Sequence, residues 1–197
     1  MIESLGANHI FIMEPHADDA FLSLGGHIEE WVRTGSDVWI LTVFSGTRKR
    51  GREAEAYAQA VGAKWMGAGC VEGQPLLPGV LNAMGGDLEP GSQYLLPGVL
   101  YLLPLGIAHP EHVGVREMVE SLVLRNRIAY YLDQPYALTQ KNGPRITELL
   151  LGKQVVSYRK PGIRKYRHVP IFKDQAKFYH YNPPAKLVQA CELIVKV

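Results

Sequence analysis

Ile10-Phe11-Ile12-Met13 followed by Glu14-Pro15-His16-Ala17-Asp18-Asp19 is the stretch on which the fold turns. A short apolar run rich in β-formers stops at a cluster of turn-forming polar residues, as where a strand leaves a sheet. From Phe21 the apolar residues fall at positions 21, 24, 28, 31 and 32, one face of a helix that ends before Gly35. Val38 to Phe44 is then an almost continuous β-branched and aromatic run, the pattern of a strand covered on both faces. A basic loop, Arg48-Lys49-Arg50, leads into a helix from Arg52 to Val61 and a short strand from Ala63 to Met66. The order βαβαβ predicts an α/β chain: a Rossmann-like three-layer fold, with a mostly parallel sheet and helices on both faces.

Further along, residues 67 to 98 are rich in Gly and Pro and read as an irregular insertion with at most short helices. Leu76 to Leu81 recurs as Leu95 to Leu100, one hexapeptide match that falls short of a repeat architecture. Val99 to Leu103 is another buried strand, and it ends in a second polar loop, His109-Pro110-Glu111-His112. A helix from Val113 to about Arg125 and a strand from Ile128 to Leu132 follow. The remainder is less regular, with a helix expected at Pro144 to Leu151 and strands at Val155 to Tyr158 and Glu192 to Val197.

At 197 residues, 47% apolar and 20% charged, the chain has the composition of one globular domain spanning residues 1–197. A net charge of +2 argues against a dedicated nucleic-acid binder. The longest nearly apolar stretch, Val99 to Ala108, is short and broken by Pro104 and Gly106, so no membrane span is expected. The start, Met1-Ile2-Glu3-Ser4, lacks a basic region followed by an apolar one, and the two cysteines form no CxxC pair. A cytoplasmic setting is expected, without a disulfide framework or structural zinc knuckle. Oligomeric state is left open, a homo-oligomer included.

In open α/β sheets, ligands bind beyond the carboxyl ends of the strands, where both polar loops fall. His16, Asp18 and Asp19 lie within four positions, as do His109, Glu111 and His112. Two such loops facing each other would supply the mix of imidazole and carboxylate that a divalent metal takes. The plainer alternative makes Asp18 and Asp19 helix N-cap residues and the loop histidines surface groups. His9, His27, His168 and His180 read as structural, His27 lying on the apolar helix face with Leu24 and Trp31.

Pro15-His16-Ala17-Asp18-Asp19 and His109-Pro110-Glu111-His112 resemble the PHPDD and HPDH motifs of the zinc-dependent N-acetylglucosaminyl deacetylases of the LmbE/PIG-L family. Arg50-x-x-Glu53-Ala54 ahead of Val61-Gly62 is similar to that family's R-x-x-E-A…L-G helix, and Tyr130 to Ala137 to its YYxDxPYA stretch. The resemblance covers about residues 9 to 137; beyond them it is limited to a helix near Lys173 to Tyr179 and the final strand. It implies that His16, Asp19 and His112 bind the metal, Zn2+ first and Fe2+ as the alternative. It also implies that Asp18 is the general base and His109, as imidazolium, the oxyanion donor. The implied substrate is an N-acetylated sugar or glycoconjugate. Ala17, Ala20 and Glu111 depart from the motifs, and the family's acid at position 111 orients the first histidine of its motif, here His109. Family relatives include a hydratase, so a metal-dependent hydratase of a small unsaturated acid is the second reading and a non-catalytic carbohydrate-binding protein the third.

Arg48, Lys49, Arg50 and Arg52 sit at the same sheet edge, and Arg48 or Arg50 is expected to hold a substrate hydroxyl or phosphate, against the plainer reading of a solvated helix start. Five basic residues between Arg159 and Arg167 form either a solvated loop or a contact for a phosphorylated sugar or RNA.

Overall fold

The computed structural model describes residues 8–83, 98–159, 163–172 and 191–197. Its strands are β1 (His9–Glu14), β2 (Asp37–Thr42), β3 (Lys64–Gly67), β4 (Val99–Pro104), β5 (Ile128–Tyr131), β6 (Gln154–Arg159) and β7 (Glu192–Lys196). The helices are α1 (Asp19–Arg33), α2 (Arg48–Val61), α3 (Leu77–Ala83), α4 (Pro110–Leu122) and α5 (Gly143–Leu150). One seven-stranded sheet runs β3-β2-β1-β4-β5-β7-β6. β1 to β5 pair in parallel, and β7 is antiparallel to both β5 and β6. The mostly parallel α/β fold expected from the sequence is the one found.

Alternation along the strands builds the three layers. Ile10 and Ile12 point into one core with Leu24, Ile28 and Trp31 of α1 and Tyr57, Ala58 and Val61 of α2. Phe11 and Met13 point into the other, with Val115 and Val119 of α4. Burial of each such side chain contributes roughly 1.5–3 kcal/mol, so a strand with apolar residues on both sides is held from both. No helix among the described residues is long and apolar enough to cross a membrane.

Several helix boundaries differ from the sequence expectation. α2 opens at Arg48 instead of Arg52, because Thr47 is extended (φ −89°, ψ 128°) and the basic residues after it are good helix formers. α4 opens at Pro110 instead of Val113: proline's fixed φ suits the first helical position, and His109 Nδ1 accepts the Glu111 backbone N–H. It ends at Leu122, and Arg125–Arg127 forms a separate 3-10 turn. The Gly/Pro-rich insertion carries the short α3, while residues 84–97, the segment 173–179 and His180 lie outside the described residues.

Candidate active site

Strand order reverses between β1 and β4, so their connections leave the sheet in opposite directions and open a crevice at their carboxyl ends. The loop after β1 brings His16, Asp18 and Asp19 to it, and the loop after β4 brings His109, Glu111 and His112. Glu14, at the end of β1, anchors the first loop: Thr42 Oγ1 donates to Oε1 at 2.5 Å and the Ala20 N–H to Oε2 at 3.0 Å. Its burial pushes its pKa up to about 8. The Asp19 carboxylate accepts the His16 backbone N–H at 2.8 Å, which sets the turn into α1.

Three side chains converge. Asp19 Oδ2 lies 3.3 Å from His16 Nδ1 and 3.2 Å from His112 Nε2, and one donor atom from each residue falls within 4.8 Å of the others. Two metal–ligand bonds of about 2.0–2.1 Å at a tetrahedral angle separate donor atoms by about 3.3 Å, which is the spacing seen. His112 is fully buried and its Nε2 makes no hydrogen bond, so it is near the Asp19 oxygen without being aimed at it. A buried, unpartnered ring nitrogen beside two further ligand-type atoms fits a divalent cation.

The other ring nitrogens are held by carboxylates. His16 Nε2 is 2.6 Å from Glu111 Oε2, and His112 Nδ1 is 3.2 Å from Asp133 Oδ2. Such outer contacts fix the ring and raise its basicity as a ligand. Asp133 is itself fixed by backbone N–H groups of Leu105 (2.6 Å), Gly106 (2.9 Å) and Ile107 (3.0 Å), joining β5 to the loop that precedes His109. Glu111 thus differs from the sequence expectation: its carboxylate sits on His16, with His109 Nδ1 farther away at 3.6 Å. The longer Glu side chain reaches across the crevice. Asp133 was not singled out from the sequence, though a carboxylate directly after the buried β5 strand was its signal.

Charges within the cluster follow from this packing. Burial alone would lower the His112 pKa, but Asp19 and Asp133 carry it up to about 10. Burial likewise opposes, and Asp19 outweighs, in raising His16. Burial would raise Asp19, yet His112 and His16 hold it well below the usual carboxylate range. Asp18 behaves oppositely: burial and the neighbouring Asp19 charge push it up to about 7. Asp18 occupies the α1 N-cap position but makes no side-chain cap bond, so the capping reading fails for it.

The His109 pKa is pushed down by burial and by His16 and His112. Since its Nδ1 accepts the Glu111 backbone N–H at 3.3 Å, a neutral His109 ring would carry its proton on Nε2. Phe44 stacks on His16 at 5.6 Å between centroids, and Tyr136 stands edge-on to His112 at 5.2 Å.

The basic residues fall into two groups. Arg50 Nη1 contacts Glu72 Oε1 at 2.5 Å, so its guanidinium already has a partner. Arg48 opens α2, and its side chain lies outside the described residues. Arg159 pairs with Glu30, and Arg167 with Glu29 at 3.2 Å. Glu29 and Glu30 sit about 15 Å along α1 from Asp19, at 1.5 Å per residue, so these two arginines lie away from the crevice. His27 bridges Glu192 and Ser157 at 2.8 Å each, His168 meets Glu29 at 3.0 Å and His9 meets Asp37 at 3.3 Å, which fits the structural roles expected of them.

No protein-family model and no curated protein matches the chain. Among solved structures, a deacetylase from the teicoplanin biosynthesis pathway superposes with a TM-score of 0.66 at 19% identity, covering 96% of this chain and 98% of its own. The A40926 pseudoaglycone deacetylase gives 0.63 at 17% identity, covering 95% of each chain. The chain has the fold of these deacetylases. A 4-carboxy-2-hydroxymuconate hydratase from Pseudomonas putida KT2440 shares the deacetylase fold as well, with a TM-score of 0.56 at 13% identity, covering 88% of this chain and 82% of its own. One fold hosts several reactions, so activity must be argued from the site.

Proposed function

We propose that the protein is a metal-dependent N-deacylase of the LmbE/PIG-L type, removing an acyl group, acetyl foremost, from an amino sugar or its conjugate. The observation that carries this reading is the convergence of His16 Nδ1, Asp19 Oδ2 and His112 Nε2, with Asp18 beside them and outside the ligand set. A divalent cation held by those three, zinc or else iron(II), would supply Lewis-acid polarisation of the amide and acidify water. Asp18, with a proton affinity tuned to about 7, takes a proton from the attacking water. The water oxygen bonds to the carbonyl carbon, the C–N bond breaks, and the proton held by Asp18 passes to the departing nitrogen. His109, whose Nδ1 accepts the Glu111 N–H, offers Nε2–H to the developing oxyanion.

Asp18, Asp19, Glu111 and Asp133 make the crevice rich in carboxylates. That surrounding favours a neutral amide over the small unsaturated acid a hydratase would bind. The test is a screen of N-acylated amino sugars with zinc-loaded protein, reading free amine and acetate together. Equal release of both supports deacylation; no amine release, with loss of the conjugated double bond of an unsaturated dicarboxylic acid assayed alongside, supports hydration instead.

Two variants probe the surroundings. Asp133→Asn replaces one acceptor oxygen by an amide donor facing donors, so metal affinity is expected to fall about 10- to 100-fold. Competition with a chromophoric chelator measures it, and unchanged affinity would remove Asp133 from the account. Arg50→Ala, alone and with Arg48→Ala, is expected to raise KM several-fold with kcat within about twofold, the pattern of lost uniform binding. Exposed ion pairs contribute about 0–1 kcal/mol, so the change will not arise from unfolding. Unchanged kinetics would leave Arg50 a partner of Glu72 only.

A further inference from the structure

Away from the crevice, α1 and the last two strands of the sheet share a chain of polar side chains that deacylation does not use. Ser157 Oγ lies 2.8 Å from His27 Nε2, and His27 Nδ1 lies 2.8 Å from Glu192 Oε2. Glu192 also accepts the backbone N–H groups of Gly26 at 2.8 Å and of His27 at 2.9 Å. A carboxylate takes only donors, so a neutral His27 ring would carry its proton on Nδ1 and leave Nε2 to accept the Ser157 hydroxyl. The backbone of β6 aims that hydroxyl. Val155 pairs with Val195 but Ser157 pairs with Ile194, so two steps along β6 match one along β7. This bulge turns Ser157 onto the face of Ile194, which packs with Leu24 and Ile28 of α1; without it Ser157 would share the face of Val155. His27 and Glu192 are buried, while Ser157 keeps part of its surface open on the outermost strand of the sheet.

We propose that Ser157, His27 and Glu192 form a second hydrolytic site, one that needs no metal and takes small acyl esters, with Ser157 as the nucleophile. A hydroxyl within hydrogen-bond reach of a base, itself oriented by a carboxylate, is the arrangement that activates a serine. Ser157 Oγ bonds to the ester carbon while its proton passes to His27 Nε2. The ester C–O bond then breaks, and the proton leaves on the alcohol oxygen. Water repeats the exchange on the acyl-serine and frees the carboxylic acid. Arg159 follows on the same face of β6 and brings a cation to that side of the sheet, which favours the negative charge an attacked ester develops. Gly26 leaves room for it, since a Cβ there would lie 2.8 Å from Arg159 Nε.

The test uses the full chain stripped with a chelator, so that metal-dependent chemistry is switched off. A fluorophosphonate should attach one phosphonyl group per chain, and peptide mass mapping should place it on Ser157. Hydrolysis of p-nitrophenyl acetate should persist in the stripped wild type and fall by about 10²-fold or more in Ser157→Ala. That variant loses one partly exposed hydroxyl, so it should still unfold cooperatively. The mapping is read on the wild type and does not depend on how the variant folds. Folded wild type that takes no label, or takes it on another residue, would overturn the inference, as would equal ester hydrolysis in Ser157→Ala. The chain of side chains would then serve only to tie β6 to α1, and zinc-dependent amine release would stand or fall separately.

Discussion

His112→Ala is expected to lose bound metal and turnover together. The imidazole is fully buried, with Nε2 beside Asp19 and Nδ1 on Asp133. One of three protein ligands goes, and Asp133 loses a donor. A bound divalent cation lowers the pKa of water from about 16 to about 7, so its loss removes many orders of magnitude of reactivity. Metal per chain after dialysis against zinc, alongside amine release, reads both effects. Because the buried ring also supports the fold, His112→Asn is measured beside it, and both variants should unfold cooperatively. Full metal retention in folded His112→Ala would place the ligand elsewhere.

Asp18→Asn is the second large effect, with the opposite metal signature. The amide keeps size and polarity but cannot take a proton, and loss of a general base costs about 10²- to 10⁴-fold in kcat. Metal should stay bound. Asp19→Asn should weaken metal binding, with activity partly returning at high metal concentration. Metal lost from Asp18→Asn and kept in Asp19→Asn would reverse the two roles. Stability gives an independent check in the metal-free protein. A carboxyl raised to about 7 in the fold prefers its protonated form there, so its burial destabilises progressively as pH rises from about 4 to 7. Metal-free Asp18→Asn should therefore melt above the wild type at pH 8, with the gap closing towards pH 4.

The frame and both loops were legible because β1, β2, β4 and β5 are covered on two faces and read as apolar runs that stop at polar clusters. What could not be read depends on partners distant in sequence. Glu111 lies 95 positions from His16, and nothing local distinguishes a carboxylate that reaches across the crevice from one that orients its neighbour His109. The lowered pKa of His109 follows from its burial and from two histidines brought beside it by folding. Arg50 looked free because Glu72, its partner, lies in the Gly-rich stretch without a period. Helix starts slipped where a basic run or a histidine-proline pair opens a helix, since those residues carry weaker start signals than Ser, Thr or Asp.

The most direct test is turnover measured while chelator-stripped protein is titrated with zinc, using an N-acylated amino sugar found by the screen. Amine release should rise linearly with added zinc and break at one equivalent per chain, as a single site built from His16, Asp19 and His112 requires. Full turnover in the stripped protein, or no turnover after one equivalent has bound, would contradict a metal-dependent deacylase.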